Sequence, residues 1–269
     1  MRTRKTFQAT WALRALAACL IGALAVSACG DKRSNSGDAN AAEATPTTPE
    51  TSSVATAPVV TGPVSFEDAK AAYQEKRYDE AVRLFTTYTS EKPDNVWGYY
   101  MLGLSAWKAG DREAAVKAFQ LALDKDSTHV KSHLNLSRVL IEQGHAQQAL
   151  AHVEAVLQLD STSNEAFRLL GRAKGELGDT MGAVEAYRHA IVLDGRDAWS
   201  MNNLGRIYLG QGRFQDALGP LARAIEIDST VPSFRQNFSA AVALSQQDSS
   251  GVDRCALAQA FVEQTKSWR

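Results

Sequence analysis

Leu102-Gly103-Leu104-Ser105-Ala106-Trp107-Lys108-Ala109-Gly110-Asp111-Arg112-Glu113-Ala114-Ala115-Val116-Lys117-Ala118-Phe119 carries the pattern that decides the fold, because its key residues recur at a fixed distance. Ala81, Ala115, Ala149, Ala183 and Ala217 stand 34 residues apart. Four positions after each come Phe85, Phe119, Val153, Tyr187 and Leu221, and five before it come Lys76, Gly110, Gly144, Gly178 and Gly212. Leu102-Gly103, Leu170-Gly171 and Leu204-Gly205 recur upstream, with Leu136-Ser137 as the variant copy, and Ala122, Val156, Ala190 and Ala224 complete the set. Self-similarity at such a period marks a stack of supersecondary units.

The columns have a direct physical meaning. Gly103, Gly171, Gly205 and the alanines let two antiparallel helices approach closely, and the large residue one turn after each alanine fills the space between neighbours. The glycine before each second helix permits a tight turn. No single helix pair can bury its apolar face, so stacking is required.

These columns resemble the tetratricopeptide repeat family, in five copies over residues 63–231. The resemblance implies an all-α solenoid of helix pairs, with residues 232–269 as a capping helix pair, a degenerate sixth repeat. One helix is expected from Pro232 to about Gln247, and a last one places Leu257, Phe261 and Trp268 on one face. Two columns depart from the family. The aromatic first column holds Ser65, Tyr99, His133, Phe167 and Met201, and the late proline survives only as Pro93. Asp126, Asp160, Asp194 and Asp228, with nearby Ser and Thr, are expected to cap the helices that follow.

Outward from the repeats, the N-terminal part divides in two. Residues 1–14 carry Arg2, Arg4, Lys5 and Arg14 and no acid, and residues 15–28 are apolar or small, the layout of a secretory signal. The apolar core is shorter than the roughly 20 residues needed to span a bilayer. Val26-Ser27-Ala28-Cys29 resembles the bacterial lipoprotein box, which implies a signal at 1–28, diacylation of Cys29 and attachment through acyl chains. Leu16-Ala17-Ala18-Cys19 fits the same pattern but leaves too little apolar core after Arg14. Gly30, rather than Asp, after the cysteine implies the periplasmic face of the outer membrane. Residues 29–62 are then the lipidated cysteine and a tether. From Gly30 to Gly62 there is no aromatic residue, no Leu and no Ile, so this stretch is expected to be disordered. As a coil it reaches roughly 30 Å, and about 100 Å stretched.

Composition narrows the function. The 269 residues have net charge -1 and 22% charged residues, which gives no electrostatic footprint for nucleic acid. Without the signal, 25 Lys+Arg face 30 Asp+Glu. No phosphate-binding loop, nucleophile elbow or carboxylate pair stands out, so no enzyme and no cofactor is expected. His129 and His133 lack the glutamate of a zinc-protease motif, and His145 and His152 have no companion ligands in sequence, so no metal is expected. With Cys29 acylated, Cys255 is expected to form no intramolecular disulfide.

By the family's geometry the first helix of each pair lines a concave groove. One groove column reads Lys70, Leu104, Arg138, Arg172 and Arg206, and another Glu67, Met101, Asn135, Leu169, Asn203 and then Asn237. Lys131 and Arg168 add positive charge. Tyr73, Trp97, Tyr100 and Trp107 are the aromatic residues toward the N-terminal end, with Trp199 in the fifth repeat. Asn offers a donor and an acceptor to an extended peptide, arginines meet carboxylates, and aromatics grip apolar side chains. The expectation is a membrane-anchored, non-catalytic adaptor holding a protein or extended peptide, the narrower version being an acidic one. It resembles pilus-assembly and secretion lipoproteins and adaptors that dock cell-wall hydrolases. The alternative is a structural subunit of an envelope complex, packed through its convex face.

Overall fold

A computed structural model describes residues 63–245 and 252–269. The signal, Cys29 and the tether, residues 1–62, lie outside the described residues. Those described form twelve helices and no strand. The five repeats are α1 (Phe66–Gln74) with α2 (Tyr78–Glu91), α3 (Val96–Ala109) with α4 (Arg112–Lys125), α5 (Val130–Glu142) with α6 (Ala146–Leu159), α7 (Asn164–Glu176) with α8 (Thr180–Leu193), and α9 (Ala198–Gly210) with α10 (Phe214–Ile227). Then come α11 (Pro232–Leu244) and α12 (Arg254–Lys266).

The turn inside each pair works as its glycine column requires. Gly110, Gly144, Gly178 and Gly212 have φ of 93°, 78°, 82° and 74°, the left-handed region where a side chain is penalised. Lys76 takes the same place in the first repeat at φ 62°, the one non-glycine residue with positive φ among those described. The turn between pairs differs from expectation. Asp126, Asp160, Asp194 and Asp228 end the second helices rather than cap the next ones. Each carboxylate accepts the backbone N–H two residues on, at 2.8–2.9 Å, and those of Asp126, Asp160 and Asp228 also accept a Thr hydroxyl at 2.6–2.7 Å. These bonds hold the three exposed carboxyls below their usual range. The caps come three residues later, where Asn95, Ser163 and Asp197 accept from the third helical residue.

Within a pair the packing is tight enough to demand glycine. A Cβ on Gly103 would stand 2.6 Å from the Phe119 ring, one on Gly171 2.7 Å from Tyr187, and one on Gly205 2.5 Å from Leu221. The third repeat solves the same crossing with Ser137 against the smaller Val153, and the buried Ser137 hydroxyl donates to the His133 carbonyl at 2.8 Å. Between pairs, every first helix touches the next first helix, whereas no two second helices touch among the described residues. The first-helix layer is therefore the inner, concave one, and the second helices splay outward.

The C-terminal expectation needs correction. Only α11 continues the stack, resting on α9 and α10. α12 makes no contact with α11 and lies on α10 and α8, bridging two second helices that do not otherwise meet. It is not the second half of a sixth repeat. Its seat is Gly219-Pro220 in α10, where a Cβ on Gly219 would meet Phe261 Cβ at 3.1 Å. Phe261 is buried there, Trp268 meets it edge-on at 5.6 Å, and the Arg188 guanidinium covers the Trp268 ring at 4.9 Å. Cys255, the second residue of α12, is disulfide-bonded, against the expectation of no intramolecular disulfide. Cys19 and Cys29, the chain's other cysteines, lie outside the described residues.

Candidate partner-binding groove

The inner layer places the predicted columns on one surface, but their chemistry divides into three zones. The first zone is aromatic. Trp97 is 47% exposed near the start of α3, with Tyr100 edge-on at 5.6 Å, His129 at 4.8 Å and the Lys131 ammonium over its ring at 5.1 Å. Beside it Phe66, Lys70, Tyr88, Asn95, Trp97 and Met101 line a hollow of about 400 Å³. Lys70 is paired to Glu67 at 3.2 Å on its own helix. Tyr73 packs edge-on against Tyr78 at 5.6 Å, and burial pushes its hydroxyl up; it belongs to the first repeat's core more than to the hollow.

The middle zone is polar and internally committed. The buried Asn135 donates from Nδ2 to the Tyr100 hydroxyl at 3.3 Å and to the Lys131 carbonyl at 3.0 Å, while its Oδ1 accepts from Arg138 at 2.6 Å. Arg138 also pairs with Glu165 in the next repeat and lies over the Trp107 ring at 5.5 Å. Trp107 in turn donates from Nε1 to Glu142 at 2.9 Å. Arg168 is likewise occupied: it reaches the Asp197 carboxylate at 3.0 Å, with that carboxylate side chain 1% exposed. Asp197 further accepts from Asn164 at 2.9 Å and from the Ser200 hydroxyl and amide at 2.6 and 3.1 Å. Asn135, Arg138 and Arg168 are therefore struts between repeats. Pairing of the arginines with acids on adjacent helices is the plainer reading of their columns, but the sequence does not single out the acids, although Glu165 occupies the same repeat position as the groove residues Trp97, Lys131 and Trp199.

The third zone, on α7 and α9, is cationic and open. Tyr187 comes up from α8 across Gly171, and its hydroxyl meets the Asn203 side chain, with Arg172 and Arg206 acting on it electrostatically. Burial dominates and holds the phenol protonated well above the tyrosine range. Arg172 is half-buried and Arg206 exposed, and neither forms an ion pair among the described residues. Trp199, 51% exposed, meets Phe234 edge-on at 5.0 Å at the far end. Asn237, on α11, donates from Nδ2 to the buried Asn202 at 2.8 Å. No group of three or more His, Cys, Asp or Glu among the described residues could hold a metal ion. No described helix is long and apolar enough to cross a membrane.

Comparison with known proteins agrees with this geometry. Residues 100–164 and 168–232 each match the tetratricopeptide repeat family model, so these stretches are tetratricopeptide repeats. The BBSome complex member bbs-4 of Caenorhabditis elegans is 26% identical over 183 residues, covering 62% of this chain but only 40% of its own length. Among solved structures, MamA from Desulfovibrio magneticus superposes with a TM-score of 0.56 at 20% identity, over 62% of this chain and 94% of that one. YrrB, described as a TPR protein with an unusual peptide-binding site, superposes at 0.52 with 18% identity, over 63% and 88%. At such identities the structures establish the fold, a TPR solenoid of the kind suited to protein–protein interaction.

Proposed function

We propose that the protein is a lipid-anchored adaptor of the bacterial envelope whose inner face holds an extended, acidic segment of a partner protein. The observation that carries this is the pair Arg172 and Arg206 on successive first helices, cations that form no ion pair among the described residues and flank the Asn203–Tyr187 contact, where Glu176 at the end of α7 is the one acid that acts on the phenol. A carboxylate arriving there gains charge-assisted hydrogen bonds without breaking an existing ion pair. Arg138, by contrast, would have to leave Glu165. The peptide-binding site of YrrB, on the same fold, supports the reading. The outer face is the weaker dock, since α12 already covers part of it at repeats four and five.

The anchor rests on Val26-Ser27-Ala28-Cys29 and requires that the Cys255 disulfide not engage Cys29 in the mature chain; its setting, pilus or secretion assembly at the periplasmic face of the outer membrane, rests on resemblance alone. Mass spectrometry of the N-terminal peptide tests the anchor. A diacylglyceryl-modified Cys29 at the mature terminus is expected; an unmodified cysteine, or one held in a disulfide, contradicts it.

For the groove, affinity capture from envelopes supplies the partner segment, and its Kd is compared between wild type and Arg172→Glu/Arg206→Glu. Loss of two charge-assisted contacts, each about 1.5–3 kcal/mol, should weaken binding by roughly a hundredfold or more. Wild-type binding should also fall as salt rises. Unchanged affinity in a double variant with the wild-type circular dichroism spectrum would remove the arginines from the site.

A further inference from the structure

Four of the chain's five histidines, His129, His133, His145 and His152, fall within the third repeat, and only His189 lies elsewhere. Three of these four stand at helix joints: His129 in the cap column that carries Asn95, Ser163 and Asp197 in other repeats, and His133 and His152 at a crossing, in columns whose neighbouring copies hold no imidazole. His133, 8% exposed on α5, stands where the repeats on either side carry Tyr99 and Phe167. His152 on α6 stands where they carry Ala118 and Ala186. An aromatic ring over an alanine has become two imidazoles, their Nδ1 atoms 3.0 Å apart and ring centroids 5.2 Å apart.

The hydrogen-bond pattern limits how many protons this pair can hold. His133 Nε2 lies 3.0 Å from the Ser127 carbonyl oxygen, which can only accept, so that nitrogen carries a hydrogen. In the neutral ring Nδ1 is then an acceptor, and His152 Nδ1–H fills the gap between the rings. One further proton, on His133 Nδ1, is met only if His152 moves its hydrogen from Nδ1 to Nε2, and a second sets two N–H groups against each other with no acceptor between them. His129, at the start of α5, adds a second such place. Its Nδ1 lies 2.7 Å from the Ser132 hydroxyl, while its Nε2 is buried without a protein partner among the described residues. The rings of Trp97 and Tyr100 stand edge-on to it at 4.8 and 5.3 Å. A proton on each ring nitrogen would bury an N–H that has no acceptor.

We infer that the third repeat is an acid-sensitive joint of the solenoid, at which protonation of His129 and of the His133–His152 pair loosens α5 from α3 and α6 and interrupts the groove between its aromatic and cationic ends. Stability in a stack passes between nearest neighbours, so a weakened middle repeat uncouples the two sides. Burial holds His129 and His152 below the usual imidazole range, and His133 adds to this at both. Asp126, in the turn after α4, acts on His129 in the opposite sense and also faces His133, and Lys131 on α5 acts on His129 with the burial. From α3 only the two aromatic rings face His129. The unfolded chain therefore binds more protons than the folded one below about pH 6.5. The stabilisation is complete above that value and is lost as the pH falls through it.

The test replaces each histidine with the residue a neighbouring repeat carries, Asn95, Phe167 and Ala186. Urea midpoints of the full chain are measured at about pH 7.5 and about pH 5.5 for wild type and for His129→Asn/His133→Phe/His152→Ala. The wild-type midpoint should drop over this step and that of the variant should drop distinctly less; equal drops overturn the inference. Hydrogen exchange of the wild-type protein over the same step, corrected for intrinsic rates, needs no variant to fold. Residues 126–159 should lose protection first, and loss starting in the terminal repeats overturns it equally.

Discussion

Asp197→Ala should destabilise the protein by about 3–5 kcal/mol, the cost of leaving a buried charge without its partner. The carboxylate is 1% exposed and does two jobs at one point. It caps α9 through the Ser200 amide, and it receives Arg168 and Asn164 from the preceding repeat. Removing it strands the Arg168 guanidinium between α7 and α9 and frees an N-terminal amide of α9. Asp197→Asn keeps a cap oxygen but not the charge and should fall between the wild type and the alanine variant. Arg168→Ala should show a similar loss, this time from a buried carboxylate left alone. Urea denaturation of the three variants checks the order. A loss below about 1 kcal/mol for Arg168→Ala would return that residue to the groove as a solvated cation.

The second large effect concerns the helix crossings. Gly103→Ser should cost about 2–3 kcal/mol, because the new Cβ would stand 2.6 Å from the Phe119 ring and the ring has no room to retreat in a close-packed pair. Phe119→Val alone should cost a comparable amount through the cavity it leaves. Together they copy the solution of the third repeat, Ser137 against Val153, so the double variant should be less destabilised than the sum of the two by about 1 kcal/mol or more. Strict additivity would show that the two positions do not share one space. Thermal and urea unfolding of the four proteins complete the cycle.

These two sites show what was legible in the sequence and what was not. The 34-residue spacing gave five helix pairs, and its glycines appear at four positive-φ turns and at three crossings, because those columns describe contacts made inside one repeat. Contacts between repeats are harder to read. Arg138 and Arg168 fall in groove columns, yet their acids lie 27 and 29 residues further on, Glu165 in the next repeat and Asp197 in the cap before the one after Arg168. A column fixes which face a charge is on and leaves open whether a neighbour neutralises it. Asn135 to Tyr100, Glu142 to Trp107 and Asn237 to Asn202 are all separated by 35 residues, one repeat plus one position, an offset that a search at 34 passes over. The docking of α12 was illegible for another reason. Leu257, Phe261 and Trp268 mark an apolar face but not the surface that receives it. The signal was in α10, where Gly219-Pro220 breaks the helical pattern and makes the seat.

The committed middle of the groove sharpens the account of binding. Once Asn135, Arg138 and Arg168 are assigned to holding repeats together, the chemistry left for a partner is an aromatic hollow near Trp97 and a cationic stretch at Arg172 and Arg206. The cationic stretch lies on first helices, and the hollow is built mainly from them with Tyr88 of α2 at its side. Hydrogen exchange of the captured complex, compared with the free protein, tests this most directly. The expected result is slowed exchange in α7 and α9, residues 164–176 and 198–210, with α8 and α10 unchanged. Slowed exchange confined to the second helices would contradict it and move the partner to the outer face.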